Sequence, residues 1–359
     1  MAPQELQVIG FLLSNTGLGE AARNITRSMM CTHINVRCVN IFDHDRSTDM
    51  EFLDLCGHYI PNIRNFIVAP LTSIDSICES IGKKPFPLIN ILYPFWELSK
   101  IPKDKRAFIE SFDFIYAPSS FIAETFSTFL NKEIQVLPLP VVMPVAYQEN
   151  HRNDGILKIF GLMDLDSWEA RKNPRAILEA FLLAFPLGSN DKVELLLKIR
   201  GGDKSELRHL LADSSKKDSR IRVIDSVMNK EQVNSLLSEC NVYISLHRSE
   251  GFGFGPAEAM ALGKIVIATD YGGTKDFVDS KTGFPIQFNL IPVGPQDYHY
   301  PENQVWAEPD IEDAAHVLQY IYLNYDAACK VAENGRERLA QTHSIEAVSK
   351  LIKKFSASW

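Results

Sequence analysis

The stretch CNVYISLHRSEGFGFGPAEAMALGKIVIATDYGGTKDF, residues 240–277, decides the fold of this chain. Residues 242–246 are rich in β-branched and aromatic side chains and predict a strand, while the glycine-rich run 249–255 predicts a loop. A helix is predicted to begin at Pro256, and Gly263 stands where a helix C′ glycine belongs. Residues 264–268 predict a second buried strand. The unit is therefore βαβ, and its loop should lie at the carboxyl edge of a parallel sheet, where open α/β folds bind ligands.

The loop combines glycines with flanking carboxylates. Three glycines within five residues let backbone N–H groups approach an anion, and the following helix N-terminus favours negative charge. Glu250 and Glu258 stand eight positions apart on either side, and carboxylates accept hydrogen bonds from hydroxyl groups. The pattern predicts a ligand that carries both phosphates and hydroxyls, such as a nucleotide sugar. A second interpretation stays open, because Pro256 at the first helical position would make Glu258 an ordinary first-turn acid.

The spacing from Glu250 to Glu258 matches the E-x7-E motif, and the text around it resembles glycosyltransferase family 4. The resemblance covers most of the chain and is strongest from about 160 to 310. It implies an α/β architecture of the GT-B type, with two facing Rossmann-like domains, parallel sheets and an inter-domain cleft. It also implies that Glu250 lies beside the donor sugar, that the amides of Gly251, Phe252 and Gly253 face sugar and phosphates, and that Glu258 binds the ribose hydroxyls.

Length and composition set the broad class. At 359 residues the chain is long enough for two domains. Its 45% hydrophobic and 23% charged residues are typical of a soluble globular protein. The net charge of −8 argues against nucleic acid as a partner. The six cysteines form no CxxC pair, which favours reduced thiols in a cytoplasmic protein.

The N-terminus and the hydropathy pattern bear on location. The opening MAPQELQVIGFLL has no basic segment before its apolar run, so no signal peptide is predicted. No apolar run reaches the 18 or more residues of a membrane span. We therefore expect a cytoplasmic protein, and peripheral contact with the inner face of a membrane stays open.

A polar, aperiodic segment at residues 147–155 predicts the boundary between the domains. We expect an N-terminal, acceptor-side domain over 1–148 and a C-terminal, donor-binding domain over 149–344. The resembled fold implies that the last helix, about 345–359, returns to the first domain.

Candidate residues in the first domain come from two loops. Gly17 and Gly19 lie at the first βα turn, and the resemblance implies that this loop faces the donor phosphates. Arg23, one turn later, is predicted either to face the cleft or to pair on the surface. An aromatic-rich loop offers Trp96 as a platform for a sugar ring, although clustered aromatics also fit a core. The family places a histidine in this region, and Glu97 is the candidate substitute here.

Candidate residues in the second domain begin with a pair of cations. The resemblance implies an arginine and a lysine on the donor diphosphate, and Arg171 and Lys172 match them best, with a catalytic role alongside Glu250. Cations suit this role because the leaving diphosphate gains charge. A solvated pair at a helix start is the alternative. Further donor-binding candidates are Lys198 at a strand end, His247 just before the glycine loop, and Gly273 and Thr274 in a second glycine loop.

Two D-x-D patterns invite a metal. Asp43 and Asp45 form one, and Asp164 and Asp166 form the other. Neither has a third ligand in sequence, so we predict no metal site and no cofactor.

The predicted function is that of a retaining glycosyltransferase. It would move a hexose from a nucleoside diphosphate sugar to a hydroxyl of a glycan or lipid-linked glycan, and the resemblance points to bacterial surface polysaccharide. Two alternatives remain: a nucleotide-sugar epimerase or hydrolase on the same fold, and a non-catalytic nucleotide-sugar-binding subunit. The sequence leaves open the base, the sugar, the acceptor, the oligomeric state and whether Glu250 acts as a covalent nucleophile.

Overall fold

The computed structural model describes residues 5–41, 51–81, 89–145, 150, 152, 155–202 and 206–359. The chain forms two compact units, Met1–Met143 with Ala340–Trp359, and Pro144–Leu339. Each unit is built on a parallel sheet of six strands with helices around it. The predicted α/β class is therefore confirmed, and the units divide a few residues before the boundaries expected at 148 and 344.

The sheet of the first unit has the strand order β2-β1-β3-β4-β5-β6. All its pairings are parallel. Continuous burial of the central strands explains why they read as apolar runs. The strands are β1 Glu5–Gly10, β2 Asn35–Asn40, β3 Arg64–Pro70, β4 Asn90–Phe95, β5 Phe114–Ala117 and β6 Gln135–Val136.

Two helices of the first unit illustrate capping by a hydroxyl side chain. The Thr16 hydroxyl accepts from the Gly19 N–H, and the Ser119 hydroxyl accepts from the Ile122 N–H. The described helices are α1 Gly17–Met30, α2 Ile74–Ile81, α3 Arg106–Ile109, α4 Ser120–Leu130 and the C-terminal α12 Ile345–Phe355.

Helix α12 packs on α1 in the first unit. The backbone N–H of Val141 donates to the His343 carbonyl at 2.7 Å, just before α12 begins. At the chain end, the Trp359 indole donates to the Tyr116 hydroxyl at 3.1 Å. The ring of Phe355 stacks on Tyr116 with centroids 5.0 Å apart. These contacts anchor the last helix to the sheet of the first unit.

The sheet of the second unit has the order β12-β11-β10-β7-β8-β9, again all parallel. Chain order reverses between β7 and β10, the switch point at which doubly wound sheets bind ligands beyond their strand ends. Its core lies where side chains such as Phe181, Leu195 and Ile244 meet between sheet and helices. The strands are β7 Leu157–Asp164, β8 Val193–Arg200, β9 Ile221–Asp225, β10 Val242–Ser245, β11 Ile265–Thr269 and β12 Phe284–Ile286.

The helices of the second unit include the one after the glycine loop, which starts earlier than predicted. It begins at Phe254 rather than Pro256, because Gly253 adopts a left-handed conformation (φ 92°) and turns the chain there. Pro256 is tolerated in the first turn, where an N–H has no intrahelical acceptor. The helices are α5 Glu169–Lys172, α6 Pro174–Ala184, α7 Glu206–Lys217, α8 Lys230–Glu239, α9 Phe254–Ala261, α10 Ile311–Leu323 and α11 Tyr325–His343.

A separate pair of strands follows β12 in the chain. β13 Phe288–Pro292 and β14 Val305–Pro309 pair as an antiparallel hairpin, joined by the loop 293–304. Trp306 is 1% exposed and so anchors the hairpin to its unit. Pro292 and Pro309 stand at the strand ends, where a missing N–H costs little.

Among the described residues, no helix combines the length and the apolar character that a membrane crossing requires.

Candidate functional site

The candidate site lies at the switch point of the second sheet. The segment after β7 (residues 165–172) and the segment after β10 (residues 246–253) leave from neighbouring parallel strands, which pair through Val242 with Ile159 and Tyr243 with Phe160. Both segments therefore meet at one sheet edge, although 78 residues separate Lys172 from Glu250.

Three predicted catalytic residues meet at this edge in one ion cluster. The Glu250 carboxylate lies 2.5 Å from Lys172 Nζ and 3.2 Å from Arg171 Nη1. Arg171 is 3% exposed and also donates to the Ser249 carbonyl at 3.0 Å and the Ser167 hydroxyl at 2.8 Å. Two cations against one carboxylate leave the cluster with a net positive charge, so it can attract an anion. The sequence predicted all three residues but not their pairing.

The cluster fixes the protonation state of Glu250. Burial alone would raise its pKa, but the charges of Lys172 and Arg171 outweigh burial and lower the pKa from 4.5 to about 2. Glu250 is therefore ionised at neutral pH, and it holds both cations in place in the ligand-free protein.

Replacing Glu250 by glutamine should make the protein less stable, and the loss should depend on pH. The folded pKa of Glu250 lies below its usual value, so its stabilising effect is complete above about pH 4.5 and fades as pH falls toward 2. The free energy of unfolding should drop by about 3 kcal/mol in Glu250→Gln at pH 7, because two cations lose their partner, and by about half as much near pH 3.

Urea titrations of both proteins from pH 3 to 7 measure this difference. Glu110→Gln is the matched control, since that carboxylate is 50% exposed in a surface pair with Arg106. It should show almost no difference at any pH. A Glu250→Gln difference that stays constant with pH would contradict the ion-cluster assignment.

Arg248 is a site residue for which the sequence analysis gave no role. Its backbone N–H donates to the Arg171 carbonyl and its Nη1 to the Ala170 carbonyl, both at 2.8 Å, while its Nε donates to Glu308 at 2.6 Å. Arg248 therefore ties the cation-bearing helix α5 to the end of β10 and to β14. Its position next to the glycine loop was visible in sequence, but these carbonyl partners depend on tertiary structure.

The two glycine loops pack directly against each other. The Gly273 N–H, in the short 3₁₀ helix Gly272–Asp276, donates to the Glu250 carbonyl at 2.8 Å. A Cβ on Gly273 would stand 2.2 Å from the Gly251 carbonyl oxygen, and one on Gly253 would stand 2.4 Å from Thr274. The glycines thus allow this close approach, whatever ligand they also face.

Phe252 and Thr274, two of the predicted donor-binding residues, are buried at these loops. Phe252 is 3% exposed and its ring lies 5.4 Å from that of Phe277. Thr274 is fully buried, and its hydroxyl lies near the Thr269 and Tyr271 carbonyls. Their side chains serve packing, so a donor contact from either residue rests on its backbone.

Glu258 lies at the fifth position of α9, not at the third as the predicted helix start implied. The first-turn capping explanation for this acid is therefore wrong. Its carboxylate pairs with Lys230, the first residue of α8. Glu258 keeps a partly exposed carboxylate close to the glycine loop.

His247 and Lys198, both predicted to bind the donor, are enclosed by protein. The two ring nitrogens of His247 lie 3.0 Å from the Ser245 hydroxyl and 3.1 Å from the Tyr271 carbonyl. Burial lowers the pKa of His247, so its ring is neutral, and burial likewise lowers the pKa of Lys198, which is 2% exposed. His247 therefore supports the wall of the site beside the second glycine loop, whereas the charged neighbours of Lys198 are Arg200, Asp164 and Asp225.

The candidates of the first unit divide by burial. Trp96 is 1% exposed and its indole donates to the Lys100 carbonyl, so the structure corrects the prediction of an open sugar platform. Arg23 is 3% exposed and donates to the Leu12 and Ser14 carbonyls, and it pairs with Glu20 at 2.8 Å, so the predicted pairing is present but within the protein rather than on the surface. Glu97, the last candidate of that loop, is half-buried.

Gly17 and Gly19 also differ. A Cβ on Gly17 would meet nothing within 4 Å, whereas one on Gly19 would stand 2.0 Å from the Ser14 carbonyl oxygen. Gly19 is required for the close approach of α1 to the preceding turn, while Gly17 is free of such a constraint.

The D-x-D pattern at the end of β7 is occupied by protein contacts. Asp164 accepts from Arg200 at 2.5 Å, and Asp166 accepts from the Gly202 N–H at 2.8 Å. Asp43 and Asp45 lie outside the described residues. Within the described parts of the chain, no three His, Cys, Asp or Glu side chains are grouped to hold a metal ion.

The segment that carries the candidate site is similar to known glycosyltransferases. Residues 168–292 match the family model of glycosyl transferases group 1. An uncharacterized glycosyltransferase, YqgM of Bacillus subtilis, is 22% identical over 67% of this chain and 59% of its own length. The alpha-1,3/1,6-mannosyltransferase ALG2 of Dictyostelium discoideum is 31% identical over 34% of this chain and 32% of its own. The chain thus spans less than two thirds of either relative.

Solved structures extend the likeness to the whole fold. A glycosyltransferase from Rickettsia africae superposes with a TM-score of 0.71 at 14% identity, covering 100% of this chain and 99% of that one. Anabaena HepE, solved in complex with UDP and glucose, gives 0.67 at 12% identity over 99% and 100%. The expected GT-B fold is thereby confirmed, and the segment 168–292, which carries the candidate site, matches the model of glycosyl transferases group 1.

Proposed function

We propose that this protein is a retaining glycosyltransferase that moves a hexose from a nucleoside diphosphate sugar to a hydroxyl of a glycan or lipid-linked glycan. We place it in the cytoplasm and in the synthesis of cell-surface polysaccharide. The observation that carries the proposal is the cluster of Arg171, Lys172 and Glu250 beside a glycine-rich loop at the sheet's switch point.

The glycine loop and the cluster suit the phosphates of one ligand, and Glu258 suits its ribose. Backbone N–H groups near Gly253 and the N-terminus of α9 favour phosphate oxygens. The net positive charge of the cluster favours the same group. Glu258 supplies a carboxylate for the ribose hydroxyls, and its distance along α9 separates it from the cations.

The cluster also explains how the reaction would be accelerated. As the bond from sugar to diphosphate breaks, negative charge grows on the leaving group, and Lys172 and Arg171 stabilise it without a metal. Glu250 holds both cations in advance, so they need little reorganisation. A carboxylate with a pKa of about 2, bound by two cations, is a poor nucleophile. This favours a role for Glu250 in positioning over a covalent intermediate.

Thermal-shift screening tests the proposal directly. UDP, GDP, ADP, dTDP and their common sugars are added with a divalent metal or with EDTA. UDP comes first because HepE was solved with it. A ligand that binds only the folded state raises the melting temperature. We expect one diphosphate to do so in EDTA as well as with metal. The metal-free donor site would be overturned if stabilisation required metal, or if none of the nucleotides raised the melting temperature.

Glu258→Ala should weaken binding of the nucleotide found in that screen. A hydrogen bond to a charged group contributes about 1.5–3 kcal/mol, which corresponds to an affinity loss of about 10- to 150-fold. Calorimetric titration of wild type and variant measures it. Glu231→Ala, an exposed acid on the neighbouring helix α8, is the matched control and should bind as wild type does. An unchanged dissociation constant in Glu258→Ala would remove this residue from the ribose site.

A further inference from the structure

A pocket in the second unit lies beside the ion cluster without containing it. It has a volume of about 430 Å³, within the range of ligand pockets, about 300–1,000 Å³. One wall is the segment after β7, with Asp166, Trp168 and Glu169, and the other is the loop between β13 and β14, with Gln296 and Asp297. Neither cation of the cluster lines this pocket.

Trp168 has a backbone conformation that a bulky residue rarely adopts. Its φ of 65° and ψ of 97° cost about 1–3 kcal/mol, and such strain concentrates at functional sites. The Trp168 carbonyl accepts from the N–H groups of Arg171 and Lys172, both at 3.1 Å, so the turn that carries the cations also places this indole.

The indole is held at the pocket wall by other rings. Its centroid lies 5.5 Å from that of Tyr298 and 4.7 Å from that of His299, both on the opposite loop. Trp168 is half-buried, whereas the other three of the chain's four tryptophans are at most 5% exposed. It is thus the tryptophan that offers part of its ring to a ligand.

The chemistry of the lining selects the ligand class. Three carboxylates and one amide line the pocket and no cation does, which disfavours phosphate. The carboxylates are not grouped to hold a metal ion. A neutral ligand with many hydroxyls and an apolar face fits: the hydroxyls donate to carboxylates, and the C–H face of a sugar ring packs on an indole.

We propose that this pocket is a carbohydrate subsite that binds a sugar ring of the acceptor glycan, with Trp168 as its aromatic wall. The assignment rests on the proposed function, because the neighbouring cluster is the site of the donor diphosphate. Since residues 165–172 contribute to both, a sugar in the pocket lies next to the group that leaves.

Binding of simple glycosides tests the proposal without knowledge of the acceptor. The probes are the methyl glycosides of glucose, mannose and galactose. Their binding is measured by saturation-transfer NMR and by tryptophan fluorescence. Trp168→Gly removes the ring and introduces a residue that tolerates positive φ. Gln296→Ala changes the opposite, exposed wall, so it stays informative should Trp168→Gly misfold. Tyr320→Ala, a 47% exposed aromatic on α10, is the control.

We expect at least one glycoside to bind the wild type and Tyr320→Ala alike, with affinity at least tenfold weaker in Trp168→Gly and reduced in Gln296→Ala. Equal binding in all four proteins, or no glycoside binding, would overturn the subsite. If a nucleoside diphosphate still binds, the proposed function survives that result. If glycosides bind in the pocket but no nucleotide binds anywhere, the acceptor assignment is overturned together with the proposed function.

Discussion

Lys172→Ala should lower kcat by about 10²- to 10³-fold while changing the KM for the donor little, because its ammonium acts mainly on charge that develops as the diphosphate leaves. This ammonium lies 2.5 Å from Glu250, and the lysine side chain is 24% exposed. Arg171 keeps Glu250 paired when the lysine is removed. The variant should therefore stay folded, and its loss should be one of catalysis.

Steady-state transfer with the donor identified by thermal shift measures this effect. Lys216→Ala is the matched control, since that lysine is 75% exposed in a surface pair and should have wild-type kinetics. A Lys172→Ala enzyme that keeps kcat and instead raises KM would show that the lysine binds ground state and transition state equally. Its catalytic role would then be wrong.

Much of the fold could be predicted because its signals are local. Strand β10 was expected at 242–246 and is observed at Val242–Ser245, since a short apolar run between a helix end and glycines has few other interpretations. Helix α12 was expected over about 345–359 and is observed at Ile345–Phe355. Ser344 caps it by accepting from the Ala347 N–H, a feature that depends on neighbouring residues alone.

The start of α9 was missed because it depends on tertiary contacts. Pro256 suggested the first helical position from sequence. The left-handed Gly253, packed against Thr274 from the other loop, instead starts the helix two residues earlier. A residue 21 positions away thus influences a helix boundary, and propensity cannot show that.

The site was predictable in its members and not in its geometry. Arg171, Lys172 and Glu250 were recognised from a family pattern, but their ion pairs follow from β7 lying next to β10 in the sheet. Trp96 and Arg23 were misplaced for a related reason. An aromatic just after a strand, or a cation within a helix, reads the same whether it faces a ligand or the core, and only packing distinguishes the two.

Gly273→Ala should be among the most damaging single-methyl changes in this protein. The new Cβ would stand 2.2 Å from the Gly251 carbonyl oxygen and 2.6 Å from the Phe252 Cα, so backbone must move. Overpacking of this kind costs about 3 kcal/mol, which corresponds to a melting temperature lower by about 6 °C or more. Because the Gly273 N–H holds the Glu250 carbonyl, the shift also carries the Glu250 carboxylate away from its cations.

The variant should therefore lose nucleotide affinity as well as stability. Loss of both distinguishes displacement of the loop from a general loss of fold. Melting curves and nucleotide titration well below the melting temperature measure both. Gly57→Ala is the matched control, because its Cβ would meet nothing within 4 Å and its backbone needs no positive φ. It should be neutral or slightly stabilising. A Gly273→Ala protein that melts lower but binds nucleotide normally would mean that the two loops pack together without holding Glu250 in place, and preorganisation of the cluster would have to come from Arg171 and Arg248 alone.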